Sequence, residues 1–340
     1  MPDGQYFYPM RKKYIFGCLL FLISLFPISI NFASAQKTEH ILLNPTGNSL
    51  KSLFSHEFNY FDKVSGKDGN LSFGLLENKV ALKAAPLLGQ DEELYLIGDF
   101  YWLSIDNDDN FPADNAKSPT DLYDLSFGAI YRRQISANWD IGTSFQFGTA
   151  TPSGDLFDSS DEMYVSGIPF IRAKHSHDLY WILLLDLDTK RDKEILPGAG
   201  LQFQFGQSGW AALGFPFAHV NSKLSDSIFL EASYRPERNL DSKLFLNLSE
   251  EIIPYMGFNW SERYFMRAKR ADNDHVLTFE DKRVFAGSKF IVTNNIALDL
   301  KAGRTFDREF GEGKNRSERR DNSIAIGDAW FGGIELTIRS

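Results

Sequence analysis

The sequence predicts an all-β chain, a closed antiparallel up-and-down transmembrane β-barrel of about 14 strands, within a range of about 12 to 16. Three observations carry this prediction. An export signal stands at the N-terminus, segments of about ten residues alternate in hydrophobicity through the rest of the chain, and one short turn pattern recurs between them. Beyond the export signal, no apolar run approaches the roughly 20 residues that a membrane helix needs.

The N-terminal segment has the three parts of a secretory signal peptide. A basic cluster at residues 11–13 precedes an apolar run from Tyr14 to Ile30, and Ala33 and Ala35 occupy the small positions of an A-x-A cleavage site. We therefore expect residues 1–35 to be a cleaved signal peptide and residues 36–340 to form the barrel. An uncleaved membrane anchor is the alternative, which Pro27 within the run disfavours. Translation can start at Met1 or at Met10.

Composition narrows the class of protein. The only cysteine, Cys18, lies in the signal peptide, so the exported chain must be stable without a disulfide. The whole chain has a formal net charge of −9. Residues 1–35 hold three of its 36 basic and one of its 45 acidic residues, which leaves 33 against 44 and a net charge of −11. This balance argues against a nucleic-acid partner.

The stretch "NWDIGTSFQFG" (residues 138–148) shows the alternation most clearly. Trp139, Ile141 and Phe145 share one parity, whereas Asp140 and Gln146 share the other with Gly and Ser. Polar faces so rich in glycine favour a crowded barrel lumen over a soluble β-sandwich, because inward side chains compete for space. The polar residues predicted to face the lumen are Asp124, Arg132, Asp140, Gln146, Gln202, Gln204, Glu231, Asp299, Lys301 and Glu335.

Four short segments share the pattern of an aliphatic residue, Ser or Thr, two polar residues, and then Ile or Trp. They are 135–139, 224–228, 248–252 and 292–296, and each joins two candidate strands as a hairpin turn. Bacterial barrels keep such short turns on the periplasmic side, so the long polar segments 106–120, 151–161 and 307–322 are expected outside. All short turns can lie at one end only if the segment 210–223 forms either no strand or two short ones. The total is then about 14 or 16 strands.

The segment from Gly198 to Phe310 resembles an uncharacterised family of bacterial outer-membrane β-barrel proteins. The resemblance rests on Tyr234-Arg235-Pro236 and on "GRTFDREF" from Gly303 to Phe310. It implies a barrel and no known activity. The sequence departs from outer-membrane barrels in one respect: it ends in Ile338-Arg339-Ser340 rather than in the aromatic residue that the barrel assembly machinery usually reads.

Residue patterns for catalysis and metal binding are weak. His219 with Ser222, and the turn 174–177, are the nearest approach to a lipid hydrolase, and neither has a clear acidic partner in sequence. The segment 106–110 resembles a calcium loop but lacks the glycine and the final glutamate of that motif. We therefore predict no enzymatic activity, no catalytic residue, no resident metal and no cofactor.

These observations predict a protein of the cell outer membrane that lets a small solute pass, or binds it, in a lumen of mixed charge. A closed structural barrel whose outer loops contact lipopolysaccharide or a partner is the second hypothesis, and a barrel hydrolase acting on lipid is the third. The expected partners are outer-membrane lipid, lipopolysaccharide and the barrel assembly machinery. The basic segment 313–320 is the candidate contact for lipopolysaccharide phosphates, although its interspersed acidic residues favour a self-neutralising loop.

Overall fold

A computed structural model gives the fold of most of the exported chain. The structure describes residues 52–65, 72–89, 91–106, 119–152, 154–190, 194–235, 239–266, 275–314 and 316–339. The predicted signal peptide and the loop at 107–118 lie outside these residues, so the predictions made for them remain predictions.

The described residues form one antiparallel sheet and very little helix. Its strands are β1 Leu53–Ser65, β2 Ser72–Leu88, β3 Glu92–Asp106, β4 Asp121–Ser136, β5 Trp139–Thr151, β6 Met163–Lys174, β7 Leu179–Asp188, β8 Glu194–Gln204, β9 Gly209–Phe215, β10 Ala218–Lys223, β11 Ile228–Arg235, β12 Asn239–Leu246, β13 Ile252–Met266, β14 Val276–Thr293, β15 Ile296–Gly313, β16 Ser323–Ile326 and β17 Ala329–Arg339. The described residues contain one α-helix, α1, at Arg316–Asp321, and two short 3-10 segments at Ser160–Glu162 and Gly206–Ser208.

The sheet closes because β1 pairs with both its sequence neighbour β2 and the last strand, β17. The closing ladder runs from Leu53 opposite Arg339 to Phe61 opposite Phe331. Each strand from β2 to β14 pairs with the strands before and after it in sequence, so the topology is up-and-down. Closure satisfies the backbone hydrogen bonds of all strands, which a bilayer requires.

The last strand of the barrel is interrupted rather than single. β15 pairs with β16 at Arg308 opposite Ile326, and with β17 at Thr305 opposite Ala329. Two residues lie between these pairs on each strand, so the register continues across the break. The break faces Asp307, whose φ of 46° is in the left-handed region. Counting β16 and β17 as one broken strand, the described residues form a barrel of 16 strands.

The count of about 14 strands from the sequence was therefore low by one hairpin, although 16 lies within the predicted range. The additional strands are β9 and β10, which are only seven and six residues long. Small residues such as Ala211, Ala212 and Gly214 fill β9, so its two faces differ little in hydrophobicity. The sequence pattern at 210–223 allowed either no strand or two short strands, and the structure has two.

All four predicted hairpin turns lie at the same end of the barrel. They join β4 to β5, β10 to β11, β12 to β13 and β14 to β15, and both the first and the last strand begin or end there too. The turn at 175–178 between β6 and β7 is also at this end. In an outer-membrane barrel this is the periplasmic end.

The segment predicted as a third long outer loop, 307–322, is mostly ordered structure. β15 continues to Gly313, where it pairs with Val276 of β14, and α1 packs against the end of this hairpin. Arg319 of α1 is buried, with its guanidinium carbon 5.4 Å from the centre of the Tyr264 ring. Charged residues are compatible with strand here because the hairpin extends beyond the bilayer into water.

The outer surface of the barrel is a belt of exposed apolar side chains. It includes Leu96, Phe127, Phe145, Phe147, Trp181, Leu183, Leu213, Met256, Val284, Leu300, Trp330 and Ile334. Tryptophans flank the belt, with Trp139 and Trp181 toward the short turns and Trp102, Trp260 and Trp330 toward the other end. No helix in the described ranges is long and apolar enough to cross a membrane. A closed barrel with an apolar belt and aromatic girdles is a protein of the outer membrane.

A pair of neighbouring substitutions tests the orientation of β5. Phe145 is 52% exposed at the centre of the strand, whereas Gln146 lies on the interior face and donates from Nε2 to Asp99. Phe145→Arg places a charge in lipid at a cost of about 2–4 kcal/mol and should reduce the folded fraction sharply. Gln146→Arg should fold normally. Heat-modifiable migration on SDS gels measures the folded fraction, and equal behaviour of the two variants would contradict the orientation.

Candidate functional site in the barrel interior

Two adjoining cavities occupy the interior of the barrel. Cavity A has a volume of about 420 Å³ and cavity B of about 410 Å³. Both are within the range of small-ligand sites. Residues of both charges line them, and six residues belong to the walls of both: Ala81, Asp99, Asp124, His219, Ser233 and Arg263.

A salt bridge crosses the interior beside these cavities. Arg283 on β14 donates to the carboxylate of Glu77 on β2, with Nη1–Oε2 at 2.7 Å and Nη2–Oε1 at 3.2 Å. Three strands, β15, β17 and β1, separate the two residues along the wall. The Glu77–Arg283 bridge therefore crosses the lumen as a chord crosses a circle. Arg283 also donates from Nε to Asp281, which accepts from the Ser261 hydroxyl at 2.8 Å. Glu77 and Asp281 are both fully buried.

The chord belongs to a larger network on β1 and β2. Asn59 Nδ2 donates to Glu57 and to Glu77, each at 2.7 Å, and Lys301 from β15 donates to Glu57. Lys79 lies 3.2 Å from Glu77. The Asn59 side chain extends over its ladder partner Gly333, where an added Cβ would overlap it. Each buried carboxylate thus has cations as partners, the arrangement that buried charges require.

Aromatic and aliphatic side chains fill the outer part of the interior, on the strands that run round the ring from β13 through β1 to β6. The cluster contains Phe61, Phe73, Leu75, Tyr101, Leu103, Ile105, Leu122, Ala150, Tyr164, Tyr255, Phe265, Leu277, Phe279, Phe285, Phe310, Ile324, Ile326 and Phe331. Here the walls approach each other: Arg263 on β13 stacks 4.0 Å from the Tyr101 ring centre on β3, and β13 also approaches β4 and β5. Cavity A is bounded by strands β1 to β7 and β10 to β13, and cavity B by β1 to β4, β10 to β15 and β17.

The residues predicted to face the lumen lie on the interior face, and the contacts of seven of them can be named. Asp140 and Gln202 both bind the buried guanidinium of Arg172, with Nε–Oδ2 and Nη1–Oε1 distances of 2.8 and 3.0 Å. Asp124 accepts from Tyr164 at 2.8 Å and from Lys190.

Of the remaining contacts, Asp299 accepts from the Tyr255 hydroxyl, and Arg132 Nη2 lies 3.5 Å from Glu93. The contacts of Lys301 and Gln146 are given above. Glu231 and Glu335 line cavity B. Gln204 is half-buried at the end of β8, opposite Trp210. The part that these side chains play in solute passage remains a prediction.

Four residues that belong to the interior network or line cavity A were not among those predicted from the sequence. Glu77, Arg172, Arg283 and Asp99 each occupy the inward parity of a strand whose position was predicted. Strand parity could therefore have identified them. Their partners could not be found, because the Glu77–Arg283 pair is separated by 206 positions in sequence.

The candidate catalytic pair does not assemble. His219 faces the interior, where its ring lies 6.4 Å from that of Trp210, whereas Ser222 has the opposite parity on the same strand. The side chains at 175–178 are in a short turn. Among the described residues, no group of three or more His, Cys, Asp or Glu side chains could hold a metal ion. The calcium-like segment at 107–110 lies outside those residues.

No protein-family profile and no curated protein matches this chain. Solved structures similar to it include the toluene transporter TodX of Pseudomonas putida (7% identity, 91% of this chain and 95% of that one, TM-score 0.39). Others are a FadL homologue of Pseudomonas aeruginosa (11% identity, 92% and 100%, TM-score 0.39) and the transport unit of the autotransporter AIDA-I from Escherichia coli (11% identity, 98% and 100%, TM-score 0.32). The barrel fold and its membrane location rest on the strands and the apolar belt of this chain.

The chord between Glu77 and Arg283 can be tested against its neighbour on the same strand. Arg283→Met leaves the buried Glu77 and Asp281 carboxylates without their main partner. The free energy of unfolding should therefore fall by about 3–5 kcal/mol. Lys282→Met removes an exposed ion pair with Asp307 (2.8 Å) and should cost no more than about 1 kcal/mol. Urea unfolding from lipid vesicles measures both, and equal costs would contradict a stabilising chord.

Proposed function

We propose that this outer-membrane barrel passes small polar solutes through its interior, along the side where cavities A and B adjoin. The observation that carries the proposal is the pair of cavities, which share six wall residues and leave free volume inside the barrel. A barrel needed only as a structural element could fill this space with side chains, as the apolar cluster does in the outer part of the interior.

Mixed charge on the cavity walls defines the kind of solute. Asp99, Asp124 and Asp186 contribute negative charge to cavity A, whereas Lys190 and Arg263 contribute positive charge. Part of this charge is neutralised internally, as in the Lys190–Asp124 pair. The proposed path therefore has weak ion selectivity and favours small hydrophilic molecules over apolar ones.

A closed structural barrel is the second candidate function. Its support is the Glu77–Arg283 chord together with the apolar cluster, because both fill the lumen with side chains fixed by packing or hydrogen bonds. In that case the outer surface and the hairpin of β14 and β15 would make the functional contacts, with lipopolysaccharide or a partner protein as the proposed ligand.

Conductance of purified, folded protein in planar bilayers separates the two candidates. We expect small, ohmic steps in potassium chloride, with little preference between potassium and chloride. Ser233→Trp should lower the conductance, because Ser233 lies in the wall of both cavities. Tyr234→Trp, the lipid-facing neighbour on β11, should leave it unchanged. Absence of any conductance, with the barrel shown to be folded, would contradict passage and favour the closed barrel.

A further inference from the structure

Lys83 is a buried lysine in the wall of cavity A. It is only 7% exposed, and its Nζ makes no hydrogen bond to any residue that the structure describes. Its ladder partners are Leu53 on β1 and Ile97 on β3, both apolar, and its Nζ lies 5.4 Å from the centre of the Tyr95 ring. A charge in such surroundings is poorly solvated, so an anionic group that reaches it is bound favourably.

The charged groups nearest to Lys83 do not neutralise it directly. Glu93 is close enough to act electrostatically, but its carboxylate accepts from the Tyr95 hydroxyl at 3.2 Å and lies 3.5 Å from Arg132 Nη2. The other near charge is Arg339, which is also a cation. Lys83 therefore contributes positive charge to the wall of cavity A.

Asp99 presents the opposite charge to the same cavity. Its side chain is exposed to the interior and accepts one hydrogen bond, from Gln146 Nε2 at 3.3 Å. The neighbouring carboxylate of Asp124 is engaged by Lys190 and Tyr164. No cation forms a salt bridge with Asp99 in the part of the chain that the structure describes, so it has acceptor positions available.

The ladder between β2 and β3 fixes the spacing of these two charges. Lys83 pairs with Ile97 and Ala81 pairs with Asp99, so Lys83 and Asp99 are diagonal neighbours on one face, about 7–8 Å apart at the backbone. They form no salt bridge with each other. The contact with Tyr95, on the other side of Ile97 from Asp99, directs the ammonium away from the carboxylate.

We propose that cavity A binds a small zwitterion, an α-amino acid or a short peptide, with its carboxylate on Lys83 and its ammonium on Asp99. A simple anion would meet the carboxylates of Asp99, Asp124 and Asp186 in the same cavity, and a simple cation would leave Lys83 without a partner. Ile97 lies between the two charges and Ile168 also lines the cavity, so both can contact a short aliphatic side chain. This inference rests on the proposed function only for the route by which the solute enters.

Calorimetric titration of the detergent-folded full chain tests the site without requiring conduction. Alanine is the zwitterionic probe, and propionate, ethylamine and lactamide are its anionic, cationic and neutral counterparts. Alanine should bind more tightly than each counterpart by about tenfold or more, since each charged contact contributes separately. Lys83→Met and Asp99→Asn should each remove about this advantage. Lys83→Met should fold at least as well as the wild type, because it removes an unpaired buried charge.

Lys289→Met is the matched control. It removes the same charge from an interior lysine that lines cavity B and not cavity A, and it should leave alanine binding unchanged. Equal binding of alanine and lactamide, or an equal loss in Lys289→Met and Lys83→Met, would overturn the site. If Lys83→Met does not fold, Asp99→Asn tests the site independently, through the contact with the ammonium group of alanine. Binding without conductance would overturn passage alone, and conductance without binding would overturn this inference alone.

Discussion

Closure of β1 onto β17 is the constraint on which the rest of this structure depends. In a bilayer, an unpaired strand edge would leave a row of backbone donors and acceptors without water. The ladder from Leu53 to Phe61 removes that edge, and its register fixes the parity of both strands. Because neighbouring strands share parity across each ladder, closure determines which half of the side chains meets lipid and which half meets the interior.

The interior then has more polar groups than water can reach. Partners for them come from across the lumen. Glu77 and Arg283 join strands that are four apart in the ring, and aromatic residues pack over them. Other acidic residues, on β3, β4 and β7 and on β1, β15 and β17, line the two cavities. The bonded network supports the wall and the cavities leave free volume, so one ring of strands provides both.

Alternation in the sequence was sufficient to locate fourteen strands, the end at which the short turns lie, and the parity of each strand. It failed where the residues on the two faces were alike. β9 contains Ala211, Ala212 and Gly214, whose side chains give little contrast between faces. It also failed at Asp307–Gly313, where polar composition is typical of a loop but the strand continues outside the bilayer. Hydrophobicity indicates the medium around a strand, and beyond the membrane that medium is water on both faces.

The sequence by itself predicts export, and it determined that the chain spans the membrane with strands and which residues share the inner face. These follow from local properties: a predicted signal peptide, a period of two and recurrent turns. Only the tertiary structure decided which inner residues meet. Among the described residues, Lys83 has no hydrogen-bond partner and Arg283 is bonded to Glu77, because of the ring's register and curvature. Such contacts join residues far apart in sequence, and no local pattern records them.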